Sequence, residues 1–107
     1  MKGLTRTAGF AALLASTGAV AQFGAAPAEL DLVRVQEDIY VIHNDFVPGN
    51  IVVLVTDDGV LLVDTKFAID YDNVEAMLAD ITDQPIRYVV NTHYHDDHSG
   101  ANQIFQG

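Results

Sequence analysis

The succession of strand, helix and strand between Val60 and Val90 limits this chain more than any other feature. Val60-Leu61-Leu62-Val63 is a short, unbroken apolar run. The segment Asp72 to Asp83 follows, with Val74, Met77, Leu78 and Ile81 at i, i+3, i+4 and i+7, the stripe of an amphipathic helix. Asp72 is placed to N-cap this helix, Glu75 completes a box-like pair, and Pro85 enforces the stop. Asp80 and Asp83 oppose the helix dipole and are expected in water. Ile86-Arg87-Tyr88-Val89-Val90, running on to Asn91, is then a second strand. Two strands joined through a helix lie parallel in one sheet. Purely helical and purely antiparallel folds are thereby excluded, and the chain is a mixed α/β protein.

Upstream lies a β-rich stretch. Leu32-Val33-Arg34-Val35 and Ile39-Tyr40-Val41-Ile42 flank a polar turn, and Pro48-Gly49 punctuates the loop Asn44 to Asn50. Ile51-Val52-Val53-Leu54-Val55 and Val60 to Val63 meet at Asp58-Gly59, a strong hairpin turn. Their unbroken apolar character predicts burial on both faces, as in a layered α/β fold.

Directly after the last strand comes Thr92-His93-Tyr94-His95-Asp96-Asp97-His98-Ser99-Gly100, which holds three of the four histidines. In extended chain, side chains at i and i+2 point the same way. His93 and His95 can so offer imidazoles to one metal, with Asp97 on the same ladder. His98 falls out of that register and points elsewhere, toward a second metal. Imidazole and carboxylate donors suit Zn²⁺, Fe or Mn²⁺. The site falls beyond the carboxyl end of a parallel strand, where open α/β sheets place their ligands. Ser99 to Phe105 can start a helix, with Ile104 and Phe105 facing inward. His43 is isolated at a strand end and reads as a surface residue rather than a ligand. Ser99 has no nucleophile elbow around it, so acyl-serine chemistry is not indicated.

Asp64 ends the strand Val60 to Val63. A carboxylate at the tip of a buried strand needs a partner. It either caps the N–H groups of Lys66 or Phe67, or accepts hydrogen bonds that hold the metal-site loop.

The run Thr92 to Gly100, together with Asp57-Asp58-Gly59-Val60-Leu61-Leu62-Val63-Asp64-Thr65 before it, resembles the metallo-β-lactamase superfamily from about Leu32 onward. The resemblance implies the N-terminal half of a four-layer αβ/βα sandwich, with one or two metals between the sheet edges. It implies that His93 and His95 bind a first metal, that Asp97 and His98 bind a second, and that Asp64 supports the site. Two Zn²⁺ ions per complete site are implied. Metal-bound water would have its pKa lowered to near 7, and the hydroxide would attack an ester, lactone or amide-type carbonyl. Asp97 would be catalytic, orienting the nucleophile. The family usually has Thr-Gly where this chain has Thr65-Lys66. Its remaining ligands come from later segments, so residues 32–107 are expected to be an incomplete domain of a longer enzyme. A non-catalytic metal-binding module and an inactive fragment are the other readings of the same residues.

Fifteen acidic against five basic residues give a net charge of −10. Such a surface repels phosphate backbones, which excludes nucleic acid as a partner and leaves a small-molecule substrate. There is no cysteine, hence no disulfide and no thiolate ligand.

Residues 1–21 have the pattern of a secretory signal: Lys2 and Arg6, then a small apolar run, then Ala19-Val20-Ala21 as the cleavage site. The uncharged run Thr7 to Ala28 is 22 residues long, enough to span a bilayer. Its Gly, Ser, Thr, Gln and Pro content favours a cleaved signal over a membrane anchor. The expected location is periplasmic or secreted, with residues 22–31 as a linker or mature tail. Cleavage after Ala21 takes the net charge from −10 to −12. Export argues against cytosolic thioesterases and leaves β-lactams, lactones or other esters.

Overall fold

A computed structural model of the chain describes residues 26–106. The segment read as a signal, and residues 22–25 of the expected tail, lie outside them. Five strands form one sheet in the order β1-β2-β3-β4-β5, which is also their order in sequence. They are β1 (Asp31–Gln36), β2 (Ile39–His43), β3 (Ile51–Thr56), β4 (Gly59–Val63) and β5 (Ile86–Val90). The first four pair antiparallel, and β5 joins β4 in parallel. The connection between β4 and β5 is α1 (Tyr71–Ile81), entered through a 3₁₀ turn at Ala68–Asp70. The parallel pair inferred from the strand–helix–strand pattern is present. The Asp58-Gly59 hairpin is present too, with Thr56 opposite Gly59.

Helix α1 lays Val74 and Leu78 on one face of the sheet, against Ile42, Ile51, Val53, Val60 and Leu62. Leu62 is fully buried at the centre of this cluster. Replacing it by Ala removes three methyl-sized groups and leaves a cavity. Leu62→Ala should lower the unfolding free energy by about 3 kcal/mol, read from a urea midpoint at unchanged slope.

The helix begins earlier than its capping pattern predicts. The 3₁₀ turn runs directly into α1, and Tyr71 already has helical angles, so no free helix end remains for Asp72 to cap. Asp70 occupies the cap position without making a side-chain cap. Its buried carboxylate instead accepts the N–H of Ala28 at 2.8 Å. Asn73 Nδ2 donates to the Ala28 carbonyl at 3.2 Å. Ala28 is thus buried and docked at the start of α1. At the other end, α1 stops at Ile81, two residues short of Asp83.

Burial on both faces of the sheet is not found. The face opposite α1 carries Val33, Val41, Val52, Leu54, Leu61, Val63, Tyr88 and Val90, as the strand registers require. Val33, Val52, Tyr88 and Val90 are exposed by 37–66 %. A second layer of structure is what this face is shaped for, since two packed sheets bury such rows about 10 Å apart. No described helix is long and apolar enough to cross a membrane.

Candidate metal centre

β4 and β5 end side by side, and Asp64 continues the pairing by donating its N–H to Val90 O at 2.8 Å. Asp64 has φ = 69°, a left-handed turn that takes the chain off the sheet edge. Its carboxylate is almost fully buried and lies under the loop that follows β5. It accepts Thr92 N–H at 2.7 Å and Thr92 Oγ1–H at 2.8 Å, and it meets His98 Nδ1 at 2.7 Å. Of the two roles expected for Asp64, it takes the second, holding the loop rather than capping Lys66 or Phe67. Burial opposes its ionisation, but the bonds from His98 and Thr92 outweigh that, and its pKa lies below the ordinary carboxylate value.

The loop is tied at three further points. Thr65 N–H and Asn91 Nδ2 both donate to His98 O at 2.9 Å. Asn91 and Asn102 hydrogen-bond each other through their side chains.

The extended ladder predicted for His93, His95 and Asp97 does not form. The chain bends after β5, and Asp96–Ser99 closes a single helical turn, α2. Asp97 and His98 are therefore neighbours on a helix, not alternate residues on a strand. One donor atom each from His93, Asp97 and His98 lies within 4.8 Å of the others. His98 Nε2 is 3.3 Å from Asp97 Oδ2. The His93 and His98 rings are 4.1 Å apart. His95 falls outside this group of three; its ring lies 4.8 Å from His93 and 4.7 Å from Tyr94. Its backbone carbonyl accepts the N–H groups of His98 and Ser99. Ser99 Oγ donates to Tyr94 O at 2.8 Å and to His95 O at 3.1 Å, so its hydroxyl is a structural tie. His43, at the end of β2, faces Asp45 at 3.7 Å.

The predicted helix Ser99 to Phe105 is broken at Gly100-Ala101. Its second part is α3 (Asn102–Phe105). Phe105 packs edge-on against Tyr71 at 4.8 Å, as an inward residue should, whereas Ile104 is exposed.

Three residues that sequence reasoning did not assign to the site shape it. Thr92 bridges Asp64 and His93, with Oγ1 3.0 Å from His93 Nδ1. Gly49, at φ = 87°, sits so close to Asp97 that a Cβ there would meet the Asp97 carbonyl oxygen at 1.9 Å. Lys66, at φ = 60°, is fully buried. Its ammonium donates to Pro48 O at 3.1 Å and to Gly49 O at 2.5 Å. Burial pushes its pKa down, partly offset by the charges of Asp70 and Asp97. The positive φ explains why glycine suits this position, and the buried ammonium shows what Lys66 does instead: it ties the Pro48-Gly49 turn to the site. The punctuation Pro48-Gly49 and the hydroxyl beside His93 were the signals for two of these residues.

A mixed sheet whose parallel pair delivers converging His and Asp side chains to its carboxyl edge defines an α/β protein with a metal-type ligand cluster. The profile of the Metallo-beta-lactamase superfamily matches residues 44–107, more than half of the chain, and the chain belongs to that superfamily. Among similar solved structures is the metallo-β-lactamase FIM-1 from Pseudomonas aeruginosa in its mono-zinc form. It is 22% identical with a TM-score of 0.63, over 78% of this chain and 40% of that one. A β-lactamase from Chitinophaga pinensis is 22% identical with a TM-score of 0.64, over 81% and 32%. A metallo-β-lactamase from Erythrobacter litoralis is 24% identical with a TM-score of 0.62, over 74% and 38%. The chain thus spans at most two fifths of the length of these structures, and its sheet is the N-terminal half of their fold. No curated protein sequence matches it.

Proposed function

We propose that this chain is the metal-binding part of an exported, metal-dependent hydrolase that acts on an ester, lactone or β-lactam carbonyl. The observation that supports this reading is the convergence of His93, Asp97 and His98 within 4.8 Å. Two imidazoles and a carboxylate are a donor set suited to Zn²⁺, with Fe and Mn²⁺ as the other candidates. In the complete site, His93 and His95 would hold one ion, and Asp97 and His98 a second. The bound metal supplies Lewis-acid charge and an activated water at neutral pH.

The chain's own residues do the rest. Asp64 keeps His98 turned toward Asp97. Asp97, on the first turn of α2, can orient a nucleophile or carry its proton. The acidic surface disfavours polyanions, which leaves a small-molecule substrate. A periplasmic or secreted location is part of the proposal and follows from residues 1–21.

Zinc titration of the full chain, followed by native mass spectrometry and calorimetry, tests the reading. Zinc should bind, and the triple replacement of His93, Asp97 and His98 by Ala should abolish binding without changing the circular dichroism. A wild-type chain that takes up no zinc would overturn the reading. Binding with no turnover of esters, lactones or β-lactams by the chain, or by any longer form containing it, would leave a non-catalytic metal-binding module.

A further inference from the structure

Thr92 lies between the buried carboxylate and the exposed histidine, and its hydroxyl has one proton for two neighbours. One neighbour is Asp64 Oδ2 at 2.8 Å; the other is His93 Nδ1 at 3.0 Å. The contacts around Asp64 decide where that proton goes. Its carboxylate already accepts Thr92 N–H on Oδ1 and faces His98 Nδ1 on Oδ2. A carboxylate oxygen only accepts, so the Thr92 hydroxyl, 2.8 Å from Oδ2, is the donor of that contact. The Thr92 proton is therefore committed to Asp64. What Thr92 presents to His93 is a lone pair. Two lone pairs cannot form a hydrogen bond, so Nδ1 of His93 must carry a proton, and in the neutral ring Nε2 is then bare. His98 is oriented by the same carboxylate directly, its Nδ1 lying 2.7 Å from Asp64 Oδ2.

We propose that Thr92 is a positioning residue that sets the tautomer of His93, linking it to Asp64 through its hydroxyl so that His93 Nδ1 carries the ring proton and Nε2 is left bare. This rests on the metal-site reading for its use, but not for its geometry. One carboxylate thereby orients two imidazoles, directly for His98 and through a hydroxyl for His93. Without the relay, His93 would be free to place its proton on Nε2, and each binding event would first have to move it. The nitrogen that stays free is set by the hydrogen bond the other makes, and losing such an outer partner typically costs about 10–100-fold in metal affinity.

The test is nitrogen NMR of the full chain without metal, at about pH 8, above the ordinary range of histidine titration. Long-range proton–nitrogen correlations distinguish a protonated from a bare ring nitrogen. In the wild type, His93 should show a protonated Nδ1 and a bare Nε2, and His98 a protonated Nδ1. Thr92→Ser keeps the hydroxyl and should keep this pattern. Thr92→Val keeps the shape and the backbone N–H to Asp64 but has no hydroxyl. It should shift His93 toward a protonated Nε2 while leaving His98 unchanged. Zinc affinity should fall by roughly 10-fold or more in Thr92→Val and return in Thr92→Ser. A wild-type His93 with its proton on Nε2 would overturn the proposal, as would a Thr92→Val chain with the wild-type pattern and zinc affinity. If the tautomers are as stated but zinc does not bind the wild type, Thr92 keeps its role in orienting His93, and the metal-site reading is what fails.

Discussion

Gly49→Ala is expected to disable the metal centre without touching a ligand. The added methyl would meet the Asp97 carbonyl oxygen at 1.9 Å, a backbone atom in α2 that cannot swing aside. The residue would also have to hold φ = 87°, which is costly for any side chain. Strain and overpacking together should lower stability by about 3 kcal/mol. The larger effect is on the site. Either α2 moves and carries Asp97 and His98 away from His93, or the Pro48-Gly49 turn moves and leaves the Lys66 ammonium without its two carbonyl acceptors. Zinc affinity should fall by more than 10-fold, and amide shifts at Asp96 to Ser99 should move. A Gly49→Ala chain with wild-type zinc affinity and unmoved α2 resonances would show that the turn does not hold the helix in place.

Replacing Asp64 should have a comparable effect by a different route. Asp64→Ala strips an acceptor from Thr92 N–H, Thr92 Oγ1 and His98 Nδ1 at once. Unmet donors at a buried position should lower stability by about 3 kcal/mol. Asp64→Asn separates folding from binding. The amide fills the same space and still accepts on one atom, so most of the stability should remain. It also places donors opposite His98 Nδ1, which forces that ring to reverse its proton, and zinc binding should be lost. Acid titration gives a second readout. Because the folded pKa of Asp64 lies below its unfolded value of 3.8, its contribution to stability is fully present above that value. It is lost as the pH falls through the lowered folded pKa. The wild type should therefore lose stability in strong acid more steeply than Asp64→Asn. Equal acid limbs would mean that Asp64 contributes no charge-dependent stability.

The parts of this molecule that were legible in its sequence are those whose causes are local. Asp58-Gly59 makes a hairpin because the turn chemistry is contained in those residues, and Val74, Met77, Leu78 and Ile81 mark a helix because their spacing is its period. Strand ends were accordingly right to within a residue or two. The cap of α1 was not legible, because what claims the Asp70 carboxylate is the Ala28 amide, 42 residues earlier. Lys66 was visible as a departure from the family pattern, but its burial depends on carbonyls 17 and 18 residues away. The cluster of histidines and aspartates announced a metal-type site, while the extended register assumed for it was wrong. That register presupposed that the strand continues through His93 and His95, and the chain instead bends after β5 and enters α2 at Asp96. The open face of the sheet was hidden for a related reason: an apolar run states that two faces want cover, not that both have it.

The coincidence of strand order with chain order bears on how the molecule is assembled. Each of the first four strands pairs with the one just made, so the sheet can grow from its N-terminal edge by short loops alone. Only β5 must wait, since its partner is reached through the whole of α1. The cluster follows β5 directly. During synthesis it arrives after all five strands, and it closes on Asp64, which by then stands at the edge of a finished hairpin. Ion capture would thus report on the crossover, available only to a chain in which it has closed in the right hand and register.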